Sequence, residues 1–128
     1  MSELKPGQII LTDNEGKLLT SDDPKNVLKY DKGKVRMDLI PEELLIEVAK
    51  VLEFGANKYS PNGWRQGMDW SRVYAALMRH ITAWNAGEDL DPETGLSHMA
   101  HAGCCVAFLL NYQSLGVGTD DRYKTRGV

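Results

Sequence analysis

Residues 79–105 read RHITAWNAGEDLDPETGLSHMAHAGCC and contain all three histidines of the chain. An apolar-periodic run ends near Trp84, and Asn85, Ala86 and Gly87 supply the stop, because glycine is the usual residue just past a helix end. Asp91, Pro92 and Glu93 then read as the next start, with a capping side chain, proline at the first helical position and an acid in the first turn. A connection this short makes the two helices antiparallel. His80, Trp84 and Glu88 follow at i, i+4 and i+8 on the first arm, while His98 and His101 stand one turn apart on the second. The hairpin therefore brings three imidazoles to a similar depth, with Glu88, Asp89, Asp91 and Glu93 at its open end. A single histidine on an apolar stripe is ordinarily a hydrogen-bonded core residue; three that converge read as metal or proton chemistry.

Outward from this hairpin, the first arm is expected over Trp70 to about Ala86, capped by Asp69, with Val73, Leu77, His80, Ile81 and Trp84 as its apolar stripe. The second arm is expected over Pro92 to about Leu115, burying Leu96, Met99, Gly103, Val106 and Leu110. Small residues from Ala100 to Ala107 allow another helix to approach closely. An earlier helix is expected from Glu42 to about Phe54, opened by Pro41, stopped by Gly55 and apolar along Leu44, Leu45, Val48, Val51 and Leu52. Glu43 and Glu47 stand one turn apart on its flank: facing inward they are half of a divalent-metal site, and facing outward Glu47 simply pairs with Lys50. Three such helices do not close a bundle alone. The expected architecture is all-α, a helical bundle completed by oligomerisation as a homodimer or homotetramer, preceded by a small N-terminal hairpin or extended segment.

At 128 residues, 42% hydrophobic and 26% charged, the chain is expected to be a single domain: residues 1–40 an arm with a basic loop, 41–115 the helical core and 116–128 a polar tail. Gln8 to Thr12 is β-prone, and Lys17 to Leu19 offers a returning strand beyond a turn cluster. A net charge of -3 gives no basic footprint for a nucleic-acid polymer. No segment reaches the roughly 18 apolar residues of a membrane span, and MSELKPGQ lacks the apolar run of a signal peptide. The expectation is a soluble, cytoplasmic protein with no membrane partner. Cys104 and Cys105 are adjacent on a helix, where neighbouring side chains diverge, and read as buried thiols rather than a disulfide.

Two further stretches carry cations. In LKYDKGKVRMDLIP, Lys29, Lys34 and Arg36 interleave with acids and a glycine, which fits either a solvated linker or a loop that closes over phosphates. In GANKYSPNGWRQGMD, Lys58, Tyr59 and Trp64 lie in a glycine- and proline-rich loop. Its aromatics either stack on a base or cover the core.

The succession IEVAKVLEFGANKY, GWRQGMDWSRVYAALMRH and GEDLDPETGLSHMAHAGCC resembles the phage-type dATP/dGTP diphosphohydrolases, the MazZ proteins, which are related to the MazG-like all-α nucleoside triphosphate pyrophosphatases. The likeness covers about residues 29–112. It implies an all-α oligomeric enzyme that uses Mg²⁺ or Mn²⁺ to cut a purine deoxynucleoside triphosphate between the α- and β-phosphates. The matching positions within the closer family are Glu47, His80, Glu88, Asp91, Glu93, His98 and His101. The wider superfamily presents ExxE and ExxD helices to its metals, whereas this chain has Glu43 with Glu47 on one helix and HxxH on the other.

Paired cations clamp phosphate oxygens and activate water, and carboxylates hold hard cations. Imidazole in the shell favours Mn²⁺ or Co²⁺ over Mg²⁺, or else a histidine serves as the base that orients water. Lys29, Lys34, Arg36, Lys58 and Arg79 are the candidates for phosphate contacts, Tyr59 and Trp64 for stacking on the base. Two other readings use much the same residues: a metal-dependent phosphohydrolase acting on another nucleotide, and a non-catalytic module that binds and sequesters a nucleotide.

Overall fold

A computed structural model describes the backbone of residues 8–9 and 29–30 and the full chain of residues 32–124. Contacts divide the chain into two units, residues 1–39 and 40–128. In the first unit, β1 (Gln8–Ile9) pairs antiparallel with β2 (Lys29–Tyr30), Gln8 opposite Tyr30. The expected return strand Lys17 to Leu19 lies outside the described residues. A short 3₁₀ turn covers Met37–Leu39, where Arg36 holds Asp38 through two hydrogen bonds of 2.8 and 2.7 Å.

The second unit is all-α. Helix α1 spans Glu42–Lys58, α2 spans Trp70–Asn85 and α3 spans His98–Leu115. A 3₁₀ turn at Gly63–Gln66 precedes α2. Pro41 opens α1 as expected, but the helix runs four residues past Phe54 and through Gly55. Gly55 keeps a helical φ there, and a glycine costs a helix only about 1 kcal/mol, too little to stop one whose flanks pack.

Two small cores hold the helices together. Val51 of α1 packs with Ala100 and Cys104 of α3, supported by Val48, Leu52, Leu96 and Phe108. Val73 of α2 packs with Cys105 and Tyr112 of α3, supported by Trp64, Trp70 and Leu77. Tyr112 is completely buried, and its hydroxyl donates to the Trp64 carbonyl at 2.5 Å. Gly103 marks the closest approach of α1 and α3, since a Cβ there would stand 2.8 Å from Cγ2 of Val48.

The stripe expected for α3 is out of phase with the one observed. Met99, Val106 and Leu110 are exposed, whereas His98, Ala100, Ala102, Cys104, Cys105 and Tyr112 are buried. This helix is apolar on nearly every side, so periodicity does not select a face; the small residues do, by letting α1 and α2 come near. Leu44, Leu45 and Ile46 on α1 are also exposed in the single chain.

Residues 116–124 of the polar tail are described, and they fold back on the helical core. Gly116 takes a left-handed conformation, and its N–H and that of Val117 both reach the Tyr112 carbonyl, closing α3. The chain then returns to the start of α2. Thr119 accepts from Trp70 N at 3.0 Å, Val117 accepts from the Trp70 indole at 2.9 Å, and Asp121 takes both the N–H and the hydroxyl of Ser71. Asp69 sits at the N-cap without a side-chain cap bond, so Asp121, 50 residues beyond Ser71, performs the capping.

Candidate functional site

The connection between α2 and α3 is a folded turn, not the first turn of α3. Asp91 Oδ1 accepts from the N–H of Glu93 at 2.8 Å and of Thr94 at 3.0 Å, the same bonds an N-cap would make. Gly95 then turns left-handed, with φ +71°, and its N–H returns to the Asp91 carbonyl, so helix does not propagate. Leu90 bridges Ser97, and Ser97 caps α3 by accepting from Met99 N at 3.1 Å. Proline at position 92 therefore shapes a turn, and α3 begins six residues later than expected.

This turn fixes the histidines. His98, the first residue of α3, is 4% exposed and faces His80 with Nδ1 to Nδ1 at 2.9 Å. Its other nitrogen, Nε2, lies 2.6 Å from the Glu88 carboxylate. A carboxylate only accepts at neutral pH, so Nε2 carries the hydrogen of that bond and Nδ1 is the atom turned toward His80. His101 stacks on His80, with centroids 4.5 Å apart and planes 6° from parallel, and its Nε2 meets the Thr94 hydroxyl at 2.7 Å. Asp91 Oδ2 approaches His80 Nδ1 at 3.8 Å.

Burial holds His80 below the ordinary histidine range, helped by the neighbouring His101, and burial does the same to His101 against the pull of Asp91. Both shifts favour the neutral imidazole near pH 7. For Asp91, burial favours the protonated form, but the two backbone N–H groups and the adjacent imidazoles outweigh it and hold the carboxyl below its usual range.

Ligand atoms of His80, Asp91 and His98 lie within 4.8 Å of one another, close enough to converge on one cation. Two imidazoles and a carboxylate, with Glu88 behind His98 to set its tautomer, form a donor set that fits Mn²⁺ or Co²⁺ better than Mg²⁺. Glu93 points elsewhere, to Lys58 Nζ at 3.4 Å. On α1, Glu47 accepts from Lys50 at 2.7 Å and Glu43 is exposed, so the structure joins neither to the histidine group. Arg79 is exposed on α2, beside a shallow groove with Met78, Thr82 and Ala83. Lys34 and Arg36 belong to the first unit, and the side chain of Lys29 lies outside the described residues.

Beside the histidines a cavity of about 470 Å³ opens between α1, α3 and the 59–68 segment. Lys58, Tyr59, Trp64, Glu93, Thr94 and His101 line it together with apolar residues of both helices. Trp64 is committed to packing: its ring stacks on Phe108 at 4.4 Å and the Arg65 guanidinium lies over it at 4.6 Å. Tyr59 stays 77% exposed. Sequence reasoning does not reach Thr94, which positions His101; the one available signal is a turn composition, Asp91 to Gly95, that reads equally as a helix start.

Fold and site together define a small helical protein with a histidine and aspartate cluster of metal-binding type at a helix hairpin. The family model described as dATP/dGTP diphosphohydrolase, N-terminal, matches residues 24–122, and the chain belongs to that family. A curated dATP/dGTP diphosphohydrolase of Salmonella phage PMBT28 is 37% identical over 95 residues, which is 74% of this chain and 32% of that protein. The chain thus spans about a third of the length of that relative. No solved structure matches. Among the described residues, no helix is long and apolar enough to cross a membrane.

Proposed function

We propose that this protein hydrolyses purine deoxynucleoside triphosphates to the monophosphate and pyrophosphate with a divalent cation, Mn²⁺ or Mg²⁺. The observation that carries the reading is the convergence of His80, Asp91 and His98 beside a nucleotide-sized cavity, in a chain whose relative is named a dATP/dGTP diphosphohydrolase. His80, Asp91 and His98 would hold the cation, which when bound polarises phosphate oxygens and lowers the pKa of water. Glu88 keeps His98 in the ligating tautomer. His101 stands outside the ligand group, lines the cavity and is neutral, so it is placed to accept the proton of attacking water, while Thr94 fixes its ring. Lys58 at the cavity wall offers a cation to the phosphates. Glu43 and Glu47 would serve a second ion only where Glu47 gives up Lys50.

Incubation with each of the four deoxynucleoside triphosphates and Mn²⁺, followed by separation of products, tests the reading. Pyrophosphate and a purine deoxynucleoside monophosphate are expected. Orthophosphate or free nucleoside would identify a different phosphohydrolase, and tight binding without turnover a sequestering module. We further propose that a second copy covers the apolar residues left exposed on α1 and α3, among them Leu44, Leu45 and Leu110. Light scattering at micromolar concentration should give a dimer or tetramer, and a monomer mass throughout would sink the shared bundle.

A further inference from the structure

The cavity has a direction. His101, Cys104, Cys105 and Phe108 line it at successive turns of α3, so it follows that helix for about 10 Å at 1.5 Å per residue. Its polar residues are linked at one end: Lys58 reaches Glu93 at 3.4 Å, Thr94 follows Glu93, and Thr94 meets His101 at 2.7 Å. The other end is apolar, formed where Val51 and Cys104 pack and where Trp64 stacks on Phe108. Burial pushes the Cys104 thiol up to about 12, so that wall carries no charge at neutral pH. The volume lies within the range of roughly 300–1,000 Å³ common to small-molecule sites.

Resting on the reading above, we propose that the apolar end is the nucleobase subsite, with the base inserted along α3 toward Phe108 and the phosphates leaving past His101 and Lys58. Phe108 and Arg65 both lie over the Trp64 ring, so Trp64 forms a wall, while the exposed ring of Tyr59, with Lys58 Nζ 5.3 Å from its centroid, offers its other face to the base. Recognition is therefore by area and stacking more than by hydrogen bonds to the base edge. A site of this kind separates bases of different size better than bases of equal size that differ in polar groups. Glu93 is the counter-ion of Lys58 and yields it to a phosphate when nucleotide enters.

Gly55 supplies a clean test. It lines the cavity, has ordinary helical φ, and an added Cβ would meet nothing within 4 Å. Gly55→Leu should fold with an undiminished melting temperature, because leucine favours helix over glycine, while its side chain enters the cavity. Binding of dAMP and dGMP, measured by calorimetry with Mn²⁺ present, should weaken at least about tenfold, with Mn²⁺ affinity unchanged. Tyr59→Ala should weaken the same binding by roughly tenfold, the scale of one lost base stack, and Tyr59→Phe should restore it. Unchanged binding in folded Gly55→Leu overturns the subsite while leaving the hydrolytic reading intact. A wild-type protein that binds dAMP in this cavity yet hydrolyses no triphosphate defeats the hydrolytic reading and keeps the subsite; one that binds neither dAMP nor dGMP defeats the subsite.

Discussion

The two ends of this small domain handle polar groups in opposite ways. At the α2–α3 hinge, Glu88, Asp91, Thr94 and three histidines satisfy one another across the chain, and His98 is buried among them. Along α1 the carboxylates find partners within one turn or face solvent, as Glu47 does with Lys50, and the apolar residues Leu44, Leu45 and Ile46 are left exposed. The polar groups converge where an irregular turn, which supplies Glu88, Asp91 and Thr94, meets two helices that carry the histidines, because a turn can aim donors from several directions at one point and a lone helix aims them along a stripe. The regular helix contributes a wall and a surface.

Breaking the hinge should have the largest effect. His98→Asn removes a buried donor, and turnover is expected to fall at least about a hundredfold, or about 2.7 kcal/mol of transition-state stabilisation, in a variant that still melts cooperatively. Steady-state kinetics beside a melting curve separates this from simple unfolding, which would leave specific activity following the folded fraction. Glu47→Gln, on the α1 side, should cost less than His98→Asn does. A loss as large as the histidine variant's would bring α1 into the proposed metal site and erase the contrast.

A smaller effect is expected where α1 meets α3. Gly103→Ala places a Cβ 2.8 Å from the stiff β-branched side chain of Val48, and the crowding should outweigh the helix-propensity gain, for a net destabilisation of about 1–2 kcal/mol by denaturant titration. Activity per folded molecule should hold. An unchanged or raised midpoint would mean that α1 shifts freely against α3.

Acid should have the mildest effect and should act on the hinge alone. His80 and His101 titrate below 6.5 in the fold, so the unfolded chain binds more protons just under that pH and stability rises with pH there. Their contribution is complete above about pH 6.5 and is lost as pH falls through the lower folded values. The metal-free protein should melt at lower temperature near pH 5 than near pH 7, and His101→Gln should flatten that slope. A melting temperature that rises on acidification would show that a histidine is held charged.

The helices were legible because glycine, proline and apolar period are local signals: Pro41, Trp70 and Gly87 mark boundaries the structure keeps. The gathering of three histidines followed from helix geometry and a short connection. The tail's return to α2 was not legible, since the bonds from Trp70 to Thr119 and from Ser71 to Asp121 join residues about 50 apart with no pattern linking them. Nor was the Asp91 turn, because an aspartate accepts the same two N–H groups at a helix start and in a turn; Gly95, four residues on, decides between them by its left-handed backbone. Trp64 illustrates a third limit. An aromatic in a glycine-rich loop reads alike whether it faces a ligand or lies on Phe108.

The clasp between Thr119, Asp121 and the start of α2 has a consequence for how the domain breathes. Amides in the first turn of a helix lack intrahelical acceptors and ordinarily exchange with solvent deuterium almost at once. Here the amides of Trp70 and Ser71 are bonded to the returning chain, so their exchange reports the detachment of residues 116–121 rather than the fraying of α2. His80 lies two to three turns further along the same helix. The slow loss of those two amide protons would time, from the far end of α2, the openings that expose this part of the molecule.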